Sequence, residues 1–389
     1  MALYEGIALI QEKQAVVLDL GTDYTKFGFT GEAAPRCIIP SEYWCTSERK
    51  FKRVYDYNNE EELYDNLVHM LHLLYFRHVL VNPKERKVVV VESLLSPTLF
   101  RETLAKVLFL HYEVSGVMWA DSARLCALTL GAPVALVVSL GARDAEVVAV
   151  VHGCPVLQAI QSQPLGARAI HDELARLLDR DNDTELHLPE HVLEDIKVRA
   201  CFVPARARAL QLAEGGAGGA EGGVPTARAA QYTRAQRSLT VSGAARELAA
   251  EPLFARDNEL ASLPDAVLQC IALCPIDARR ELAENILVTG GSAALPGLKA
   301  RLAQELRHLV AQPPYRDRLR ISKFKFHTAP AHDNSVAWVG GALCGAADGG
   351  ARALARDAYA RERRLADWPS LLHTTPPAHP HWEALAEPE

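Results

Sequence analysis

Three short stretches hold the residues of this chain that could do chemistry, and each is an apolar run that breaks into a glycine turn. The first, VVLDLGTDYTKFGFTGEAAPR (Val16–Arg36), turns at Gly21, with Thr22 and Lys26 close behind. The second, VVSLGARDAEVVAV (Val137–Val150), turns at Gly141. The third, ILVTGGSAALPG (Ile286–Gly297), turns at Gly290, Gly291 and Ser292. Glycine lets a ligand approach the backbone, and N–H groups exposed at such turns favour an anion, phosphate above all. Lys26 is the only cation beside the first turn. Asp23 opposes it, because a carboxylate at ~4 Å repels each phosphate charge by about 1–4 kcal/mol between aqueous and surface-like dielectric. A tight turn explains any one of these motifs; three strand-fed turns together point to a phosphate cleft.

The elements that must position these turns read as α/β. Ala15–Leu20, Lys26–Thr30 and Arg36–Pro40 have the composition of short strands with Gly or Pro at their joins. A helix is predicted from about Glu60 to Arg77, with Leu63, Leu67, Met70, Leu71 and Leu74 on one face. Val88–Val91 suits a strand buried on both faces. Ser96-Pro97 reads as N-cap and first turn of a helix reaching about Leu110, and another helix is predicted from about Pro296. VLDLGTDYTKFGF (Val17–Phe29) and the second stretch echo one another, which suggests two similar α/β lobes facing across a cleft. AEGGAGGAEGGVPTA (Ala213–Ala227) follows no strand and reads as a flexible surface loop, with an insertion at about 213–224. Asp367–Glu389, with five Pro and two Trp, reads as an extended tail.

At 389 residues the chain can hold two or more cores, on a scale of ~100–200 residues per domain. A formal charge of −6 argues against nucleic acid, whose partners usually carry a basic stripe. The apolar runs fall short of the ~20 residues of a spanning helix. Glu5, Glu12 and Lys13 do not suit a signal peptide, and HDEL at His171–Leu174 is internal. The eight Cys are scattered singly, and the Cys270/Cys274 spacing suits helix packing better than zinc. A reducing compartment, cytoplasmic or nuclear, is the expectation.

The first stretch, followed in order by GCPVLQAI, LEDIKVRACFV, CPIDARRELAENILVTGGSAALPG and SVAWVGGALCGA, resembles the actin family from about Val16 to Tyr359. YFRHVLVNPKERKVVVVESLLSP and DWPSL are similar to the actin-related class at the pointed end of dynactin. The resemblance implies an actin-like two-lobed α/β fold of duplicated ribonuclease-H-like domains. The first lobe would comprise residues 1–132 with 340–389, and the second 133–339. It also implies an adenine nucleotide, ATP or ADP, held by Asp19, Gly21, Thr22 and Lys26, by Gly141, and by Gly290, Gly291 and Ser292, with Lys197 near the base.

Departures from the family pattern fall on the catalytic set. The carboxylate that holds the metal's water shell is Ser139, the loop's second carboxylate is Ala142, and Arg143 stands where a Gly approaches the phosphates. The water-orienting Gln falls at Ser122, or at Asp121 if the alignment shifts by one, and a His becomes Glu146. Phosphoryl transfer depends on such a metal and water-orienting group. The expectation is therefore a non-catalytic protein that holds nucleotide, if at all, as a structural wedge, with a metal left open. Arg143, across the cleft, is expected to pair with Asp23 or with phosphate.

About twenty residues separate Ser41 from Leu63, fewer than the family uses for its small subdomain, shortened here to about 41–62. Its aromatic pair Tyr43-Trp44 and Arg53 are candidate interface residues, and the region around Trp338 is expected nearer a filament contact. Lacking one half of a head-to-tail contact, such a subunit would end a filament. The resemblance implies as partners a centractin-type actin-related filament, dynactin's pointed-end accessory subunits and, through them, dynein, in the cytoplasmic cytoskeleton. The alternatives are a scaffold of a nuclear chromatin-remodelling complex and an active ATPase of the superfamily, against which Ser139 speaks.

Overall fold

The computed structural model describes residues 14–84, 86–182, 185–215, 224–234, 237–256, 261–348 and 352–365. The centre of the glycine-rich insertion and the Pro/Trp tail lie outside the described residues.

Among the described residues sixteen strands follow in chain order. They are β1 (Val16–Leu20), β2 (Tyr24–Phe29), β3 (Cys37–Pro40), β4 (Glu42–Cys45), β5 (Lys50–Arg53), β6 (Lys87–Glu92), β7 (Gly116–Asp121) and β8 (Val134–Leu140). The rest are β9 (Ala145–Val151), β10 (Cys154–Pro155), β11 (Gln161–Gln163), β12 (Ala230–Arg234), β13 (Arg237–Val241), β14 (Ile286–Thr289), β15 (Phe326–His327) and β16 (Leu354–Ala355). One sheet runs β16-β7-β6-β1-β2-β3 and the other β10-β9-β8-β14-β15. Both are mixed. β1 pairs antiparallel with β2 and parallel with β6, and β8 pairs antiparallel with β9 and parallel with β14. The sequence echo is thus a repeated hairpin, each closed by a glycine turn at the same end of its sheet.

The valine runs are continuous because both faces of each sheet are covered. Leu18, Val88 and Val90 pack outward with Leu67, Leu71 and Leu104, while Val17, Val89 and Val91 pack inward with Leu125 and Trp338. In the second sheet Leu136 and Val138 face Ile170, Leu268 and Leu302, and Ala135 and Val137 face Ala123 and Cys126. Helices Ser122–Leu130 and Val336–Asp348 therefore lie between the sheets, and the turns open beside them.

Two local expectations are corrected. The helix starting at Glu60 is α-helical only to Leu73 and continues as a wider turn over Leu74–Val79. Ser96 is not an N-cap. Helix Thr98–Lys106 starts one residue later, with Pro97 at the cap position (ψ 135) and no side-chain cap bond. Cys270 and Cys274 are both buried in the core. Among the described residues no helix is long and apolar enough to cross a membrane.

Candidate functional site: a cleft between two glycine turns

The first turn is closed by Gly21 N–H donating to Tyr24 O at 3.2 Å. Register places Asp19 opposite Lys26 on the paired strands, and Lys26 Nζ lies 2.8 Å from Asp19 Oδ2. The lysine charge is thus already matched within its own hairpin. Thr22 is half-buried beside it. Asp23 is held from two directions, with Arg168 Nη2 at 3.3 Å and Arg53 Nη1 at 3.7 Å. The expected Asp23–Arg143 pair is corrected. Arg143 is exposed and makes no ion pair among the described residues, and the cross-cleft cation is Arg168.

The second turn explains why Arg168 takes that role. Gly141 N–H closes the turn on Asp144 O at 2.9 Å. The carbonyls of Gly141, Ala142 and Arg143 accept from the N–H groups of Ala167, Arg168 and Gly166. The helix Ala167–Asn182 starts against the turn so closely that a Cβ on Gly166 would lie 2.5 Å from the Arg143 backbone. Its second residue, Arg168, points at the first turn as a result. Ser139 is half-buried on β8, opposite Glu146 on β9. Ala142 offers no side-chain ligand.

Around the turns lie carboxylates already committed to protein groups. Glu146 crosses between the two sheets to Ser93 Oγ, at 2.9 and 2.7 Å from its two oxygens, and burial raises its pKa. Glu92 pairs with Arg101 at 2.8 Å, with side chains 7% and 6% exposed. Burial pushes Glu92 up to about 7 against the pull of that guanidinium. Asp121 is pushed up to about 6, again by burial, although the N–H groups of Ala123 and Arg124 pull it down. Both its oxygens cap the helix Ser122–Leu130, at 3.0 and 3.1 Å. Asp121 is thus a cap rather than a free water-orienting group, and Ser122 is the first residue of the helix it caps.

The third turn brings Gly290, Gly291 and Ser292 to the end of β14. Gly290 has φ +99, and a Cβ there would meet Leu140 O at 2.2 Å, so only glycine fits between this turn and the second. Ser292 is buried, and its Oγ has no hydrogen-bond partner within the described structure. The following helix is Leu298–Val310, starting two residues beyond the predicted Pro296.

The family profile for Actin matches residues 10–71 and 62–349. The chain belongs to the actin family. It is 24% identical to Actin-related protein 10 of Dictyostelium discoideum, over 86% of this chain and 83% of that protein. It is 25% identical to Actin-related protein 2 of Arabidopsis thaliana, over 86% of this chain and 92% of that protein.

Members of the actin family generally bind adenine nucleotide. The third turn, where the resemblance implies the adenosine, fits such a group: a buried, unpartnered Ser292 hydroxyl lies beside Gly291, whose absent side chain leaves open space. The phosphate side fits less well, since an entering phosphate meets the Asp23 carboxylate and cations already paired to Asp19 and Asp23.

Lys197, expected near the base, lies on helix Glu190–Ala200, is 2% exposed and pairs with Glu194 at 2.5 Å. It belongs to a cluster that sequence reading did not find. Buried His171 lies between two carboxylates, with Nδ1 bonded to Glu190 and Nε2 2.9 Å from Glu194, the latter out of line for a hydrogen bond. Burial pulls the His171 pKa down, but the two carboxylates outweigh it and raise the ring above its ordinary value. For Glu194 burial acts upward, and His171 and Lys197 together hold it down to about 2. The i, i+4 spacing of Glu190 and Glu194 was visible in the sequence; that His171 faces them follows only from helix packing.

The hairpin β4–β5 corrects one interface expectation. Tyr43 is buried, donates to Asn66 Oδ1 at 2.8 Å and stacks on His69. The exposed aromatic pair is instead Trp44 with Phe51, 53% and 63% exposed, edge to face at 5.2 Å. Arg53 reaches back to Asp23. Trp338 itself is fully buried, with Nε1 donating to Val17 O.

Proposed function

We propose that this chain is a non-catalytic actin-related scaffold subunit. It caps the pointed end of dynactin's short actin-like filament, joins it to the pointed-end accessory subunits, and so supports dynein-driven cargo transport in the cytoplasm. The observation that carries the non-catalytic reading is the first glycine turn. Asp23 sits where the family places phosphate and is paired across the cleft to Arg168, so the protein's own charges bridge the two turns. Ser139, Ala142 and Ser122 leave the metal and the attacking water without their usual partners. Any ATP or ADP in the cleft is then a structural filler.

The capping reading rests on the segment between Ser41 and Leu63. It is one hairpin, β4–β5, where the family carries a longer subdomain that the next protomer grips. A head-to-tail contact ends where one subunit lacks half of it. The likeness of Tyr75–Pro97 to the pointed-end class supports the dynactin setting. Single-filament microscopy tests it. Purified chain added to growing centractin-type filaments should stop elongation at the pointed end at substoichiometric amounts, and grafting a full-length actin segment between Ser41 and Leu63 should restore growth. Unchanged elongation by the wild-type chain would sink the reading. Denaturing the protein and chromatographing the supernatant measures nucleotide occupancy, and turnover near that of an ordinary actin-family ATPase would contradict the non-catalytic assignment.

A further inference from the structure

One face of the second-sheet half departs from the charge of the rest of the molecule. Between Arg316 and Lys325 the chain reads RDRLRISKFK, five cations and one carboxylate, in a protein whose formal charge is −6. The segment is ordered by its own apolar residues. Leu319 and Phe324 are buried in the core, and Ile321 packs partly against it. The alternation leaves Arg318, Arg320, Lys323 and Lys325 exposed. Arg316 pairs weakly with Asp317 at 3.5 Å, but the other four form no ion pair among the described residues. Elsewhere on the surface some cations find carboxylates, as Arg176 does with Glu173 and Arg199 with Asp195, and others, such as Arg143 and Arg307, form no ion pair among the described residues; here four such cations lie within eight residues.

An apolar anchor lies beside the strip. Helix Leu263–Leu273 ends on Leu273, 44% exposed, and the loop after it carries Ile276, 80% exposed. Arg279 fixes this loop to the strip by donating to Cys274 O at 2.9 Å and to Arg318 O at 3.4 Å. The acidic residues nearby in sequence are Asp277, Glu281 and Glu284, the last paired to Arg280 at 3.2 Å. Unpaired cations next to an exposed aliphatic side chain combine the charged and apolar parts of a protein interface, and complementary charge sets its on-rate and specificity.

We propose that Arg318, Arg320, Lys323 and Lys325, with Ile276 at their side, form a docking surface for an acidic segment of a partner protein. A polyanionic nucleic acid fits less well. The strip spans eight residues, at most about 28 Å of extended chain, and the remaining acidic surface repels a longer phosphate backbone. A lipid surface fits less well too, because Ile276 and a half-exposed Leu273 give little apolar area to bury in a bilayer. The proposal does not depend on filament capping, since its probe is not an actin-type subunit.

The test uses the full chain and a fluorescent peptide of repeating Glu-Glu-Leu, with phosphatidylserine vesicles and duplex DNA as the other arms. The wild type should bind the peptide more weakly as salt rises. R318E/R320E/K323E/K325E should lose about tenfold or more of that affinity. A charge-matched control, R176E/R199E/R361E/R364E, should retain it, with circular dichroism confirming that both variants fold. Ile276→Ser should weaken binding at every salt concentration without changing the salt slope. Peptide affinity unaffected by the four reversals, or an equal loss in the control, would overturn the proposal. So would vesicles or duplex binding more tightly than the peptide with the same dependence on the strip.

Discussion

At the scale of single residues, the two glycine turns meet through an ion pair. Asp23 and Arg168 come from opposite halves of the molecule, and both are partly shielded, at 18% and 33% exposure. A pair of this kind contributes about 0.5–1 kcal/mol. In urea denaturation, Asp23→Ala and Arg168→Ala should each destabilise, and their double-mutant cycle should return a coupling of about that size. Strictly additive effects would mean that the contact does not bridge the halves in solution. His171 makes a second prediction. Its pKa is raised above the ordinary 6.5, with Glu190, Glu194 and Lys197 as the charged groups facing it. A group raised in the folded state adds stability that is complete below its unfolded pKa and fades as pH rises through the folded one. The stability difference between wild type and His171→Gln should therefore be largest below about pH 6.5 and shrink at higher pH. A difference that grew with pH would reverse the assignment of His171 as a charged ring held by two carboxylates.

At the scale of elements, the glycine turns were legible in the sequence because each is a local pattern: apolar run, glycine, apolar run. The cross-cleft contacts were not. Arg168 and His171 sit on one helix, and nothing local says that this helix starts against the second turn and faces Glu190 and Glu194. Tyr43 looked exposed because its neighbours are charged, but its hydroxyl anchors the hairpin to Asn66 inside the helix Glu60–Leu73. Tyr43→Phe should cost about 1 kcal/mol, measured by chemical denaturation, since it leaves buried Asn66 short of one partner. Trp44→Ala, on the exposed side of the same strand, should stay within about 0.5 kcal/mol of wild type. The turns themselves tolerate less. Gly290→Ala combines a φ of +99 with a Cβ placed 2.2 Å from Leu140 O, and should cost several times what Trp44→Ala does.

At the scale of the whole molecule, the two sheets are joined in two physically different ways. Helices Ser122–Leu130 and Val336–Asp348 share an apolar core with both sheets through Leu125, Trp338, Ala123 and Cys126. The turns, by contrast, are joined through polar contacts: Asp23 with Arg168, and Glu146 with Ser93. Apolar burial of this extent opens only with global unfolding, whereas a partly exposed ion pair and a hydroxyl–carboxylate bond open locally at little cost. Removing both polar links should therefore loosen the cleft without loosening the base. In hydrogen exchange read by mass spectrometry, Asp23→Ala/Ser93→Ala should speed exchange in the segments around Gly21–Tyr24 and Gly141–Glu146. Protection of Val88–Val91 and Leu136–Val138 should be unchanged, because those strands are buried on both faces. If the core strands lost protection together with the turns, the cleft contacts would be part of the global cooperative unit. The molecule would then be one rigid body rather than two halves latched at their rim.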